Sequence, residues 1–232
     1  TSETTIADNL TVTGDFAANN FKFAGTEFTG SLLIGHSTTG SLDAATYNIG
    51  IGSTALDALT TADSNTAVGA SAGTAVTTSP GNSFLGRYAG NTIATGTGYN
   101  THVGYASAYY GTGTYNTAVG ASALYGTTGQ SGNYNTAIGR NALQICYGDQ
   151  NISLGYHAGD NITTGDGNVV IGRTDVSSAT GDNQLSISSG QSGGPVWMTG
   201  DSSANVTFAG ALQVSGAVTV GVDDTGLDVK FF

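Results

Sequence analysis

The sequence predicts an all-β protein, a parallel β-solenoid or β-roll of about nine rungs with a period of about 17 residues. The frame Asn-x-x-(Ile/Val/Leu)-Gly recurs along residues 31–176, and a fixed period of this kind is typical of stacked repeats. Each frame places an aliphatic residue where a short strand is expected. Glycine, 37 of 232 residues, is too frequent for helices, because each helical glycine costs about 1 kcal/mol relative to alanine.

Two positions of the frame are constant or nearly so. The first residue, which we call the marker and from which positions are counted, is Ser31 in the first copy and asparagine in the others: Asn48, Asn65, Asn82, Asn100, Asn116, Asn135, Asn151 and Asn168. Glycine follows at the fourth position: Gly35, Gly52, Gly69, Gly86, Gly104, Gly120, Gly139, Gly155 and Gly172. We interpret both as structural repeat residues that build the rungs.

The flanks of the repeat block differ from it in pattern. Residues 1–30 form an N-terminal strand segment, since 9–16 alternate apolar and polar residues before a glycine turn. Residues 177–204 are rich in Ser, Gly and Asp and are expected to be an irregular connector. Residues 205–232 form a C-terminal strand segment in which 205–212 repeat the N-terminal pattern. Short-strand segments are therefore expected on both sides of the solenoid.

Within each rung the residue types predict how the copies stack. The residues at the first and third positions of a strand share one face, and the marker and the second residue share the other. Stacking is expected to give a buried column of the third-position aliphatics and a hydrogen-bonded ladder of asparagines. The glycine suits a positive-φ turn or a close backbone approach, and alanine recurs at the seventh position in six rungs.

The size of the expected core predicts an oligomer. Burial of one aliphatic side chain contributes roughly 1.5–3 kcal/mol, whereas ordering one residue costs roughly 1–2 kcal/mol of backbone entropy. On this comparison, a 17-residue rung with one large aliphatic and one alanine buries too little apolar surface to offset the entropy cost of ordering its residues. Several chains around a shared axis, a homotrimer in our interpretation, would bury the second faces of the rungs.

Charge and cysteine content exclude several classes of function. The formal net charge is −11, with only five basic residues, so neither nucleic acid nor an anionic membrane is an expected partner. No stretch of about 18 apolar residues or signal sequence is present, so membrane insertion is not expected either. The single cysteine, Cys146, excludes an intrachain disulfide framework and is interpreted as a small buried hydrophobe, with a reactive thiol or an interchain bridge as the alternatives.

Candidate catalytic and metal-binding residues do not form a convincing site. Ser192 lies in Gly-Gln-Ser-Gly-Gly-Pro, which resembles the nucleophile segment of chymotrypsin-like proteases, but Gln191 replaces the aspartate of that motif, and His36, His102 and His157 lie in repeat frames. A glycine-rich turn is the preferred interpretation. The histidines occupy different repeat positions, so only three copies of His102 around a threefold axis would converge. We expect no enzyme activity, no cofactor and no metal.

Tyrosines are the better candidates for binding. Tyr47, Tyr99, Tyr115 and Tyr134 precede a marker, while five others follow the glycine and are proposed as surface-binding residues: Tyr88, Tyr105, Tyr109, Tyr110 and Tyr156. Exposed tyrosine rings stack on sugar faces or anchor a protein receptor. The alternative is that the rings pack between rungs or chains.

The frames at 65–72, 116–124 and 135–143, which read Asn-Thr-Ala-(Val/Ile)-Gly-x-x-Ala, resemble two related groups of proteins. One is the head repeat of trimeric autotransporter adhesins, a left-handed parallel β-roll built as a trimer. The other is the tail fibres of bacteriophages, in which such repeats occur beside Leu-Thr-Val-Thr-Gly strands like the one at 10–14. The end of the chain, 221–232, resembles a fibre segment after which the chain continues, so a truncation is expected.

The resemblance implies a non-enzymatic structural fibre, a phage tail fibre segment for host attachment located in the virion tail. The rungs exceed the roughly 14 to 15 residues usual in adhesin heads, and no coiled-coil stalk follows, which favours the phage-type fibre. The alternative is a bacterial trimeric surface adhesin or the subunit of a self-assembling extracellular filament, because the strands at 9–16 and 205–212 match and would pair head to tail. The expected partner is a host surface glycan or protein receptor.

Overall fold

The computed structural model describes residues 31–34, 45–93, 98–129, 131–191 and 194–210. These residues contain twelve β-strands and no helix, and the strands form one sheet in chain order. The strands are β1 (Leu32–Ile34), β2 (Ile49–Ile51), β3 (Thr66–Val68), β4 (Ser83–Leu85), β5 (Thr101–Val103), β6 (Thr117–Val119), β7 (Thr136–Ile138), β8 (Ile152–Leu154), β9 (Val169–Ile171), β10 (Leu185–Ser188), β11 (Val196–Gly200) and β12 (Val206–Phe208).

Strands β1 to β9 are the nine frames of the sequence, and each pairs in parallel with the next. The register keeps equivalent positions together, so Thr117 lies opposite Thr136 and Val119 lies opposite Ile138. Each strand is only three residues long, and turns return the chain to the start of the following rung. The predicted fold class, an all-β parallel β-solenoid with a period of about 17 residues, is confirmed.

The segment expected to be an irregular connector contains two strands. β10 pairs in parallel with β9 and extends the solenoid, whereas β11 runs antiparallel to β10 and β12 antiparallel to β11. Of the strand pattern at 205–212, the structure forms β12. The N-terminal segment 1–30 and residues 211–232 lie outside the described residues.

The marker asparagines form a buried ladder along the solenoid. The Oδ1 atom of each accepts a hydrogen bond from the backbone N–H of the next marker, as between Asn116 and Asn135 at 2.8 Å. The side-chain amide donates to turn carbonyls, as from Asn135 to Gly148 at 2.8 Å. Gln184 continues the ladder by donating its N–H to Asn168 Oδ1 at 2.8 Å. The ladder therefore satisfies polar groups that would be costly to bury unpaired.

The glycine at the fourth position is required by both its conformation and its surroundings. From Gly52 to Gly155 its φ lies between +127° and +140°, a region that residues with a Cβ rarely adopt. A Cβ on Gly120 would lie 2.7 Å from the carbonyl carbon of Gly139 in the next rung. Gly172 has a φ of +95°, and Gly35 lies outside the described residues. The glycines thus stack backbone against backbone.

The predicted buried column of third-position aliphatics is wrong for the single chain. Leu85 is 53% exposed and Leu154 is 47% exposed, whereas the second residues, such as Ala118 and Ala137, are buried. The physical reason is the alternation of the strand, because the buried asparagine ladder turns the marker and second residue inward and the first and third residues outward. The first and third residues of β1–β9 form what we call the outward sheet face, which contains no charged residue.

The core is built from other positions of the repeat. The alanines at the seventh position are fully buried: Ala55, Ala72, Ala89, Ala123, Ala142 and Ala158. A second buried column lies eleven positions after the marker: Leu59, Val76, Ile93, Cys146 and Ile162. These columns supply the aliphatic burial that the outward sheet face does not.

Residues with a left-handed backbone conformation bend each rung at repeated positions. Nineteen residues other than glycine have positive φ among the described residues, and apart from Ala204 they precede a marker residue or Gln184, or occupy the sixth and eighth positions after a marker. Backbone hydrogen bonds between rungs hold them, as from His157 N to Arg140 O at 2.9 Å and from Leu143 N to Ala158 O at 3.1 Å. Stacking thus imposes a conformation that isolated residues of these types disfavour.

Candidate functional site

Four of the five tyrosines predicted to bind lie together on the solenoid surface and are joined by a fifth, Tyr125. We call Tyr88, Tyr105, Tyr109, Tyr110 and Tyr125 the tyrosine cluster. Tyr88 meets Tyr105 and Tyr109 edge to face, with ring centroids 6.1 and 5.7 Å apart. Tyr109 stacks on Tyr125 at 5.5 Å, since both residues follow their markers by nine positions. The period of the solenoid therefore brings separated tyrosines into one patch.

The tyrosine cluster presents both polar groups and aromatic surface. The Arg87 guanidinium lies 4.4 Å from the centroid of the Tyr88 ring and donates a hydrogen bond of 2.7 Å to its hydroxyl. Burial, with smaller effects from the neighbouring tyrosines, raises the pKa of Tyr125. Tyr105 is 55% exposed. The cluster thus offers ring surface, phenolic hydroxyls and one cation, which are groups that recognise sugars and interface residues.

Tyr156, the fifth predicted tyrosine, lies in a separate group. Its ring is approached by two guanidinium groups, those of Arg140 at 5.8 Å and Arg173 at 4.9 Å from the centroid. The His157 ring packs edge to face against it at 4.3 Å. The predicted tyrosines therefore form two surface groups rather than one.

The tyrosines that precede markers form a regular stack. Tyr115 lies between Tyr99 and Tyr134, with centroid distances of 5.3 and 5.1 Å and interplanar angles of 6° and 4°. All three are exposed. Since their ring faces are largely covered by each other, this stack leaves mainly ring edges to solvent. These three rings pack between rungs, which was the alternative interpretation of the tyrosines from the sequence.

His102 lies inside the solenoid. It is 1% exposed, stacks on Phe84 at a centroid distance of 5.4 Å, and neither ring nitrogen has a hydrogen-bond partner. Burial lowers the pKa of its imidazole to about 3, so the ring is neutral near pH 7. The suggestion that copies of His102 converge on a threefold axis is wrong, because the side chain points into the core of its own chain.

A small acidic group surrounds His157. Its Nδ1 atom contacts the Asp160 carboxylate, and Nε2 lies 3.0 Å from Asn141 Nδ2. Burial, followed by repulsion from Asp160, raises the pKa of Asp175. Within the part of the chain that the structure describes, no group of three or more His, Cys, Asp or Glu side chains is arranged to hold a metal ion.

Cys146 occupies a core position. Its side chain is fully buried, and Asn151 Nδ2 lies 3.3 Å from Sγ. Burial is the main cause that raises the pKa of the thiol to about 12. The residue fills the eleventh-position column, which matches the interpretation of a small buried hydrophobe.

The remaining candidates lie elsewhere. Ser192 and His36 lie outside the described residues. Trp197 and Phe208, on β11 and β12, line a shallow open pocket with Pro195. This pocket was not predicted from the repeat pattern. Among the residues that the structure describes, no helix is long and apolar enough to cross a membrane.

Comparison of the chain with protein-family models, with curated proteins and with solved structures finds no match.

Proposed function

We propose that the chain is a non-enzymatic structural fibre protein, a segment of a phage tail fibre for host attachment. The proposal rests on the outward sheet face. This face follows nine strands, which at a spacing of about 4.8 Å gives an uncharged strip about 40 Å long. The third-position aliphatics form a continuous apolar row in this strip, beside a row of aliphatic, threonine and serine side chains at the first position. A monomeric protein rarely leaves such a continuous strip in water, so another surface is expected to cover it.

Copies of the same chain are the best partners for this face. Every rung repeats the same alternation, so the strip presents the same residue types along its length. Three chains arranged around an axis parallel to the solenoid would each direct the outward sheet face towards the centre. The result is a homotrimeric rod whose remaining surface, including the tyrosine cluster, faces the surroundings and is free to meet a host surface glycan or protein receptor.

The alternative function is a bacterial trimeric surface adhesin or a self-assembling extracellular filament. It is favoured by the ends of the described sheet, since β1 and β12 each pair on one side only within the described residues. Open strand edges promote pairing between molecules. A head-to-tail contact between terminal strands would extend such a filament without closure. Both versions place the protein outside a cell, in the virion tail or at a cell surface, without nucleic acid or membrane insertion.

Light scattering after size-exclusion chromatography tests the assembly. The wild-type protein is expected to have three times the 23.1 kDa mass of the chain. Leu85→Lys together with Leu154→Lys is expected to shift the mass to that of one chain, because each lysine would bury a charge at the axis. Thr61→Lys and Thr164→Lys, at exposed positions away from the face, provide the matched control.

The outcomes separate the alternatives. A discrete trimer that the face variant dissociates supports the fibre, and open-ended polymers support the filament. A stable wild-type monomer would refute both. The absence of enzyme activity is tested separately by incubating capsule or lipopolysaccharide with the protein, where we expect binding without shortened products.

A further inference from the structure

A column of arginine and tyrosine side chains runs along the solenoid at the fifth position after the marker. We call this set the Arg–Tyr column, and from the fourth rung to the ninth it reads Arg87, Tyr105, Ala121, Arg140, Tyr156 and Arg173. The three arginines of the described residues all lie in this column. Neighbouring copies of the repeat therefore concentrate cations on a chain whose net charge is −11.

Backbone hydrogen bonds fix the spacing of the column. The carbonyl of Arg87 accepts from Ala106 N, and the carbonyl of Arg140 accepts from His157 N, both at 2.9 Å. Each such bond joins consecutive rungs, which are about 4.8 Å apart. Two rungs separate Arg140 from Arg173, so their backbones lie about 10 Å apart along the axis. The column is thus a row along the stacked rungs rather than a compact pocket.

The arginines are available to a ligand. Arg87 and Arg140 are exposed, and Arg173 is partly exposed. Within the described residues, none of the three forms a salt bridge, and the nearby carboxylate of Asp160 is engaged by His157. Their side chains contact tyrosines, and each guanidinium lies within 6 Å of a ring centroid. Stacking of this kind holds the guanidinium in place. The N–H groups other than the one that Arg87 donates to the Tyr88 hydroxyl remain able to donate to a ligand.

We infer that the Arg–Tyr column binds an acidic glycan, a carboxylate-bearing polysaccharide that lies extended along the solenoid axis. Guanidinium groups recognise carboxylates through paired hydrogen bonds. The exposed ring of Tyr105 supplies a flat surface on which a sugar ring stacks. Tyr156, in contrast, lies between the guanidinium groups of Arg140 and Arg173 and holds both in place. A row of cations and rings, interrupted only at Ala121, fits a linear chain of repeating acidic sugars better than a small ligand. This inference rests on the proposed attachment function and names its ligand class.

Calorimetric titration with alginate oligosaccharides in the presence of a chelator tests the inference. Maltooligosaccharides of the same length serve as the neutral ligand. Wild-type protein is expected to bind the uronic-acid chains and not the neutral ones, with an affinity that falls as salt rises. Arg140→Gln and Arg173→Gln are each expected to weaken binding roughly tenfold. Thr164→Asp, which changes the net charge by the same amount outside the column, should leave the affinity near the wild-type value.

A gain of binding is the complementary test. Ala121→Arg fills the gap between Tyr105 and Arg140, and we expect it to tighten alginate binding several-fold. Thr164→Arg adds the same charge away from the column and is expected to have little effect. Equal gains from both variants would show general electrostatic attraction and would overturn the inference.

Other outcomes are equally decisive. The absence of alginate binding, or binding that the arginine variants leave unchanged, would refute the acidic-glycan site. The molar mass of each variant, measured by light scattering, separates this failure from failure of the fibre proposal. If the protein is a trimer that does not bind alginate, only the acidic-glycan site is refuted. If it is a monomer that binds alginate, only the fibre proposal is refuted.

Discussion

Lowering the pH from 7 to 5 is expected to destabilise the folded chain by about 2 kcal/mol through one residue, His102. Its ring is buried without a hydrogen-bond partner for either nitrogen, and burial lowers the pKa of the folded state from 6.5 to about 3. The unfolded chain takes up a proton as the pH falls below 6.5, but the folded chain does not until about pH 3. Stability is therefore lost across this window as the pH falls.

The slope is that of one proton, about 1.4 kcal/mol for each pH unit well below 6.5. The assay is urea unfolding followed by circular dichroism at pH 7, 6 and 5 and at one protein concentration. His102→Leu, which replaces the ring with an apolar side chain of similar size, is the control that contains every other titratable group. The wild type should lose about 2 kcal/mol more than His102→Leu between pH 7 and pH 5. Equal losses would show that the imidazole is hydrated or partnered in the folded protein and would refute the reasoning.

Three other perturbations test the stacking of the rungs. Gly139→Ala is expected to cost about 3 kcal/mol or more through positive-φ strain and a backbone clash, whereas Gly210→Ala, which meets no atom within 4 Å, should leave the unfolding midpoint unchanged. Asn116→Ala removes one buried acceptor and one donor and should lower the free energy of unfolding by about 2–5 kcal/mol, measured with urea. Asn205→Ala, at an exposed position, should lower it little. Similar losses for the two variants would contradict a stabilising ladder. Cys146, a buried thiol whose pKa is raised to about 12, should react with a thiol reagent only as the protein unfolds, and rapid native-state labelling would contradict its burial.

The repeat made the solenoid predictable because parallel stacking keeps identical positions together. A constant marker and a constant glycine at a period near 17 residues indicate that each rung must superimpose on the next. The asparagine ladder also follows from this condition, since an amide can both donate and accept along a stack. The same logic does not extend to β10 and β11, where the frame is absent and only Gln184 indicates that a further rung follows.

Which face of each strand is buried was harder to predict, because a three-residue strand can turn either its middle residue or its two outer residues towards the core. An aliphatic at the third position suggests burial, yet the buried asparagine at the marker forces the opposite choice in the single chain. The sequence does contain a better signal for the core, since Leu59, Val76 and Ile93 recur at the eleventh position with the repeat period.

The tyrosine groups were predictable as surface residues but not as assemblies. Which rings meet depends on their repeat positions, and Tyr109 and Tyr125 stack because both are ninth-position residues of adjacent rungs. The Arg–Tyr column follows the same rule. It becomes visible once residues are compared by repeat position rather than by distance along the chain.

Thiol accessibility on the outward sheet face tests most directly whether copies of the chain cover it. Ser83→Cys places a thiol on that face and Ser53→Cys places one at an exposed fifth position, and both serines are exposed in the single chain. The rate of reaction with a maleimide is measured for each native protein, with the buried Cys146 as an internal reference. We expect Ser53→Cys to react as a free thiol and Ser83→Cys to react many-fold more slowly, with protection lost in denaturant. Equal and rapid reaction of both variants would show that the face is open to water and would contradict a fibre built on it.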